Sequence, residues 1–463
     1  MGLSPRLVRA LGWCWLIVGL SALPFVLIAT AEEADTIARG FAASAVLGLF
    51  AGGLSLAATR SLKGRAGPRT ALRLALYGWL TTPLFAAPPL VAAAAGTMPG
   101  LFEAYSAMTT TGASVLDPDQ QERSILLWRA FLQWIGGFAT LILAVTVFAA
   151  LELPGLGLRR STLLTVAEED LFTNFGRAAR RLGLVYGLIT VFTVLTLSLT
   201  ALDAFEALCL ALSGVSTGGM TPRSGPIEAW LPLPGQMILA ACTLFGAWNL
   251  ALQYELIHRG RAVRLTGDLR AMVAVCLAMA FVVALVFGPG EAWPAFLDTL
   301  FAITTAGFTT GEGVLPTVIL LSLAVIGGSA LSTSGGAKIS RIMLLLKRAA
   351  GELSLLAHPS AAIFTRFAGR HVGDKALLEV WIVALSFPFA IGVAGILLGL
   401  AGLDFASAWQ VAAASIANAG PLAEIDYAGL PPGAMVISVL AMIAGRLEIL
   451  AAAAAVFVII VRE

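Results

Sequence analysis

Apolar runs of membrane-spanning length lie near 11–31, 37–59, 72–96, 126–150, 180–202, 234–257, 269–288, 317–349, 376–400 and 433–461. A helix rises 1.5 Å per residue, so roughly 20 apolar residues cross a bilayer core. All ten runs reach or nearly reach that length. Four shorter runs, near 101–111, 205–215, 295–305 and 406–416, are too short to cross. They fall between the third and fourth, fifth and sixth, seventh and eighth, and ninth and tenth long runs. The pattern predicts an all-α polytopic membrane protein. Ten helices span, and eight of them form four repeats of span, re-entrant half-helix and span.

Each short run ends in small or hydroxyl residues before a glycine. The four turns are Thr109-Thr110-Thr111-Gly112, Val215-Ser216-Thr217-Gly218, Thr304-Thr305-Ala306-Gly307 and Ala417-Asn418-Ala419-Gly420. Repetition at this scale defines a fold more firmly than any single motif. A desolvated cation needs oxygens in place of its water, and extended backbone turns supply carbonyls. Glycine permits the positive φ and close approach such turns require. Half-helix C-termini aimed at the same point add partial negative charge. The expected ion-binding residues are Thr110, Thr111, Gly112, Ser216, Thr217, Gly218, Thr305, Ala306, Gly307, Asn418, Ala419 and Gly420, around a pseudo-fourfold axis.

Composition agrees with a membrane setting: 59% of residues are hydrophobic and 12% charged, against about 25% charged in soluble domains. The placement of charge orients the chain. Lys and Arg cluster at 60–73, 159–181, 259–270 and 347–375. Arg39, Arg123 and Arg223 lie on the opposite side, and Arg129, Lys338 and Arg446 within spans. By the positive-inside rule, both termini are cytoplasmic and the four turns face outward. Acidic residues gather near those turns, among them Glu103, Asp117, Asp203, Glu206, Asp298 and Asp404, which would concentrate cations. Cys14, Cys209, Cys242 and Cys276 sit in apolar runs without paired spacing and read as core residues. The run after Arg6 and Arg9 is longer than a usual signal core, so a retained first span is expected.

Two further segments break the apolar pattern. Within 317–349, the stretch Gly327-Gly328-Ser329-Ala330-Leu331-Ser332-Thr333-Ser334-Gly335-Gly336-Ala337-Lys338 is poor helix material. It predicts a broken helix whose loop lies in the membrane beneath the glycine turns. Arg446 falls near the middle of the last span, where a charge must face water or a partner. Glu448, two positions on, would point to another face of a continuous helix; Lys338 is a candidate partner for it.

Other functions fit less well. Gly214-Val215-Ser216-Thr217-Gly218 matches the serine-hydrolase elbow, the basis for an intramembrane serine hydrolase. That chemistry needs a histidine, yet His258, His358 and His371 are all assigned to the cytosolic side. Walker loops and zinc spacings are absent, so no cofactor is expected and the chain is not read as an enzyme. A sodium- or proton-coupled symporter of the same fold is the nearer alternative, with Glu448 as its one clear intramembrane carboxylate. Gly48/Gly52, Gly183/Gly187 and Gly395/Gly399 are candidate helix or dimer contacts.

TTTGA at 109–113, VSTGGM at 215–220, TTAGF at 304–308 and NAGP at 418–421, with QWIGG at 133–137 and GRLEI at 445–449, resemble the Trk/Ktr/HKT superfamily of potassium transporters. The likeness is strongest to the bacterial Trk-type membrane subunit. It implies a leading helix pair over 1–66, then pore repeats over 67–158, 159–262, 263–372 and 373–463. It further implies potassium uptake across the bacterial cytoplasmic membrane, with K+ as the transported ion at the filter. A homodimer in lipid and a cytosolic nucleotide-binding regulatory subunit follow from the same resemblance, which involves no nucleic acid. It makes the broken segment an intramembrane gate comprising Gly327, Gly328, Ser332, Gly335, Gly336 and Lys338, with Arg446 as barrier or latch. Plant relatives that favour sodium carry serine in place of the first filter glycine, whereas Gly112 is present here. Met220 and Ala423-Glu424 depart from the family pattern.

Overall fold

The computed structural model describes residues 4–62, 68–150, 171–259, 267–311, 314–358, 366–367 and 370–460. Residues 155–170 of the expected cytosolic segment 155–180 and the borders at 158/159 and 262/263 lie outside them. Two helices lead: α1 (Pro5–Ala31) and α2 (Asp35–Ala58). They pack along each other because Gly12 and Gly19 of α1 face Gly52 and Gly48 of α2 so closely that a Cβ at any of the four would collide. The first of the three glycine pairs is thus a helix contact. A Cβ at Gly183 would meet only Phe138, and Gly187, Gly395 and Gly399 face open space.

The remaining helices repeat one order four times. The first repeat runs α3 (Pro68–Ala86), α4 (Pro88–Ala93), α5 (Thr97–Met108) and α6 (Arg123–Ala150). The second runs α7 (Leu171–Leu197), α8 (Ala204–Val215), α9 (Leu233–Ala247) and α10 (Leu250–Arg259). In the third are α11 (Gly267–Phe287), α12 (Ala292–Ile303), α13 (Thr317–Ile326) and α14 (Ile339–Ala357), and in the fourth α15 (Asp374–Leu400), α16 (Phe405–Ala417), α17 (Pro432–Arg446) and α18 (Ile449–Ile460). Helices α5, α8, α12 and α16 are the half-helices. They have 12 or 13 residues each, and their C-terminal halves are buried. Asp203 and Asp404 cap α8 and α16 by accepting from backbone N–H groups of the first turn. Among the described residues the one strand pairing is a two-residue antiparallel ladder, β1 (Arg366–Phe367) with β2 (Arg370–His371).

Of the ten expected spans, α1, α2, α6, α7, α11 and α15 are each long and apolar enough to cross alone. Two more, α9–α10 and α17–α18, are bent pairs, at 100° and 105°. The third expected span is divided between α3 and α4 at Pro88, which lacks the N–H to continue a helix. The eighth is broken as its composition predicts, between α13 and α14. Glycine and serine account for that break. The bends in the sixth and tenth come at Trp248-Asn249 and Leu447-Glu448, where neither glycine nor proline intervenes.

Candidate ion-conducting site

The four half-helices deliver their turns to one place. Thr110, Thr217, Thr305 and Asn418 each adopt the left-handed conformation, at φ of 54°, 52°, 58° and 54°. Two residues later Gly112, Gly219 and Gly307 take φ of 78°, 80° and 73°; Gly420, the fourth, opens a short 3-10 turn instead. These conformations are costly for side-chain-bearing residues. The first conformation recurs in all four turns and the second in three, at one shared register. Pairing glycine with glycine along the sequence aligns Gly218 with Gly112. The structure aligns Gly219 there and puts Gly218 at the position of Thr111, Ala306 and Ala419. Ser216 then falls one place earlier, matching Thr109 and Thr304. All three hydroxyls donate to the carbonyl four residues back, at 2.8, 2.7 and 2.7 Å, and brace the helix ends. Ser216 spends its hydroxyl on Leu212 and Ser213 carbonyls, as a helix cap does and a nucleophile does not.

Neighbouring turns meet around a ring. The first and second meet where the Gly218 carbonyl lies against the Cα of Gly112; the second and third where the Ala306 carbonyl lies against Gly219. Pro421 of the fourth turn packs beside Gly307, and beside Gly112 and Gly219 as well. The fourth closes on the first through Gly420 N–H to Thr111 O, 2.6 Å, and Asn418 Nδ2 to Thr111 Oγ1, 2.9 Å. The twelve expected ion-site residues, all but Ser216 in the turns proper, therefore share one small region. Gly219 and Pro421 belong to it too.

Buried carboxylates hold the chain leaving two opposite turns. Glu103 of α5 accepts from Ser114 Oγ and Val115 N–H, 2.8 and 2.9 Å, with the Arg129 guanidinium 3.3 Å away. Asp298 occupies the matching place in α12 and accepts from Thr310 N–H and Oγ1, both at 2.9 Å, with no ion pair among the described residues. The spans that follow the turns add a second device. Gly136 of α6, Gly246 of α9 and Gly445 of α17 each lie against the carbonyl closing their own half-helix, at Met108, Val215 and Ile416. A methyl at any of them would collide with that oxygen. The glycines of QWIGG and GRLEI therefore do one job, and Gly246 in the sixth span does it as well.

Beneath the turns runs the segment 327–338. Thr333 Oγ1 donates to Val215 O and Gly246 O, 3.1 and 3.0 Å, and meets Thr217 Oγ1 at 3.3 Å. The Gly335 N–H donates to Thr305 Oγ1, 2.8 Å, and Gly335 lies against Ala417 O. Ser332 bonds to Ser329 O and Ser334 Oγ, and Ser329 Oγ donates to Asp268 at 2.7 Å. Gly327 and Gly336 pack on each other with φ of 72° each, and Gly328 fits against Ala247. The segment thus touches the second, third and fourth turns, while the Thr110 hydroxyl of the first has no hydrogen-bond partner among the described residues. Lys338 turns its ammonium to the carbonyls of Ser334 and Gly335. Glu448 pairs with Arg341 of α14 at 2.7 Å, not with Lys338. It also sits outside the helix that ends at Arg446, with φ of 54°, so the continuous-helix reading of these two residues does not hold. Arg446 donates from Nε to Thr140 Oγ1, 2.6 Å. Its two terminal nitrogens are buried without a hydrogen-bond partner among the described residues, and it borders a cavity shared with Ser334, Gly335 and Lys338.

A bundle of this kind, with four half-helices converging and an unwound segment under them, defines a helical membrane protein. The TrkH family model, described as a cation transport protein, matches residues 71–288 and 290–461, and the chain belongs to that family. Similar proteins include a Trk system potassium uptake protein TrkH of Halomonas elongata, 28% identical over 96% of each chain. Others are TrkH of Salmonella typhimurium, 28% identical over 90% of each, and TrkG of Escherichia coli K12, 29% identical over 75% of this chain and 76% of that one. The crystal structure of the potassium transporter TrkH from Vibrio parahaemolyticus shares the fold, with a TM-score of 0.83 at 24% identity over 99% of this chain and 98% of the other.

Proposed function

We propose that this chain carries potassium into the cell across the bacterial cytoplasmic membrane through a channel-like pore. The ring of turns is its selectivity filter and 327–338 its intramembrane gate. One observation carries the reading: four backbone turns of matching conformation meet at a common centre, with a segment lying directly beneath three of them. Relatives along most of the chain bear the name potassium uptake protein, which favours potassium among monovalent cations. Glu448, the carboxylate a coupled symporter would use, is occupied by Arg341, so the uncoupled pore is the better account. Arg446, with two free guanidinium nitrogens, acts as an electrostatic barrier below the filter. The repeat borders given above, ten membrane crossings with both termini inside, a homodimer and a cytosolic nucleotide-binding regulatory subunit complete the proposal. The inside-positive charge and the relatives' assignment to a Trk system support these.

The test is flux into liposomes under gradients of potassium, rubidium, sodium and lithium. Potassium and rubidium should pass in preference to the others. Selectivity should collapse in Gly112→Ser and Gly307→Ser, both at positive φ where a side chain is strained by about 1–2 kcal/mol. Deleting 329–336 should raise flux. Selectivity that ignores the glycine changes sinks the filter; flux unchanged by the deletion in well-folded protein sinks the gate.

A further inference from the structure

The second filter turn contains a glycine its backbone does not need. At the register of Thr111, Ala306 and Ala419 it carries Gly218, whose φ is not positive, unlike that of Gly219 beside it. What Gly218 lacks is room. A Cβ there would fall onto the amide group of Gln133, with Cδ, Oε1 and Nε2 all nearby. Gln133 belongs to α6, in the first repeat, and is fully buried. Its Nε2 donates to the Gly218 carbonyl at 2.7 Å, the same oxygen that lies against Gly112 of the first turn. Its own Oε1 has no hydrogen-bond partner among the described residues.

The seams on either side of the first turn differ in how they are tied. On the side of the fourth turn, the Gly420 N–H and the Asn418 amide both reach Thr111. On the side of the second, the Gln133 amide makes the tie, reaching across from one repeat to the next. Four residues earlier on the same helix face, Arg129 spans the same gap outside the filter. It lies against Glu103 and Ser114 of the first repeat and donates to Thr221 O of the second, 3.4 Å. One turn of helix further in, Gly137 lies against Ser216. The face of α6 is therefore a strut along the junction of the first two quarters, and Gln133 is its contact at filter depth.

We infer that Gln133 is a specificity-determining positioning residue, which fixes the width of the filter by holding the Gly218 carbonyl at the seam between the first and second turns. This rests on the filter reading above. Discrimination between cations of different size requires the coordinating oxygens to keep their number and spacing. A seam whose carbonyl has lost its donor relaxes, and the ring can close on a smaller ion. The buried acceptor left unpaired also favours any rearrangement that finds it a partner.

Gln133→Met keeps the volume of the side chain and removes the donor. The potassium-to-sodium flux ratio in liposomes should fall by about tenfold or more, with the rubidium rate retained. Gly218→Ala alone should damage assembly, since its methyl meets Gln133. The double variant Gln133→Ala with Gly218→Ala makes room for that methyl. It should recover assembly but not the ratio. A purely space-filling Gln133 would let the double variant regain wild-type discrimination, and that result overturns the inference, as does wild-type discrimination in Gln133→Met. If Gln133→Met fails to assemble, the ratio in the double variant decides. Wild-type protein that shows no potassium preference would instead defeat the filter reading itself.

Discussion

Around the glycine register three of the four quarters share turn conformation and back-bond; below it all four part. In the outer half, Thr109, Ser216 and Thr304 make the same back-bond, and Glu103 and Asp298 hold the same backbone N–H in two quarters. In the inner half, α6 runs on as a helix of 28 residues, α9 and α17 bend past a right angle or near it, and α13 ends outright at Ile326. The difference follows from what surrounds each half. In the proposed filter, carbonyls grouped about one ion would have to sit at equal distances, so departures from symmetry would be costly there. Unwound backbone deeper in the membrane needs only some partner for each polar group. The segment 327–338 finds its partners in three of the quarters, in Val215, Gly246 and Thr305 among others.

That contrast can be broken most severely at the close-approach glycines. Gly136→Val or Gly445→Val drives a side chain into a half-helix carbonyl and should cost about 3 kcal/mol or more. The yield of monodisperse protein after detergent extraction measures it, and a normal yield would show the outer half to be softer than described. Glu103→Gln comes next. It leaves Arg129 buried beside a neutral partner, at about 3–5 kcal/mol, and should lower the melting temperature sharply. Asp298→Asn, where the amide oxygen can still accept from Thr310, should cost about 1 kcal/mol. Equal losses in the two would show that the cation beside Glu103 contributes nothing.

Changes to the inner half should move rate more than stability. Arg341→Ala or Glu448→Gln frees α14 from the last span. Rubidium flux should rise several-fold, while stability falls by about 1–2 kcal/mol, less than for a fully enclosed pair because Glu448 is partly exposed. Unchanged flux in stable protein would detach this ion pair from gating. The smallest effect is expected at the outer loops. Hydrogen bonds from Ser224 and from the Asp119 N–H hold the Asp117 carboxyl below its ordinary value. Its folded form therefore gains stability above the unfolded pKa and loses it as pH falls through the lowered folded one. Asp117→Asn should lower the neutral-pH melt slightly and flatten its acid limb below about pH 4, where variant and wild type converge.

The half-helices, their turns and the break at 327–338 were legible because each is written in local composition: a short apolar run, a glycine, a cluster of small polar residues. The second turn was misread by one residue because Gly218 and Gly219 stand side by side, and only φ distinguishes the one at the position of Gly112. The bend after α9 had a faint signal in Asn249, whose side chain accepts from Ala251 and Leu252 N–H in the manner of a helix N-cap. The bend at Glu448 had none. Its partner Arg341 lies 107 residues away, and charge alone offered Lys338 equally well. Gln133 was visible as part of a motif, but its purpose depends on the empty side of a glycine in another repeat.

Because the ring of turns is drawn from one continuous chain, each quarter is encoded separately. In a channel assembled from four identical subunits, one altered codon is felt four times over. Here it is felt once, so in the proposed filter each quarter can change alone, and the seams flanking Thr111 already differ.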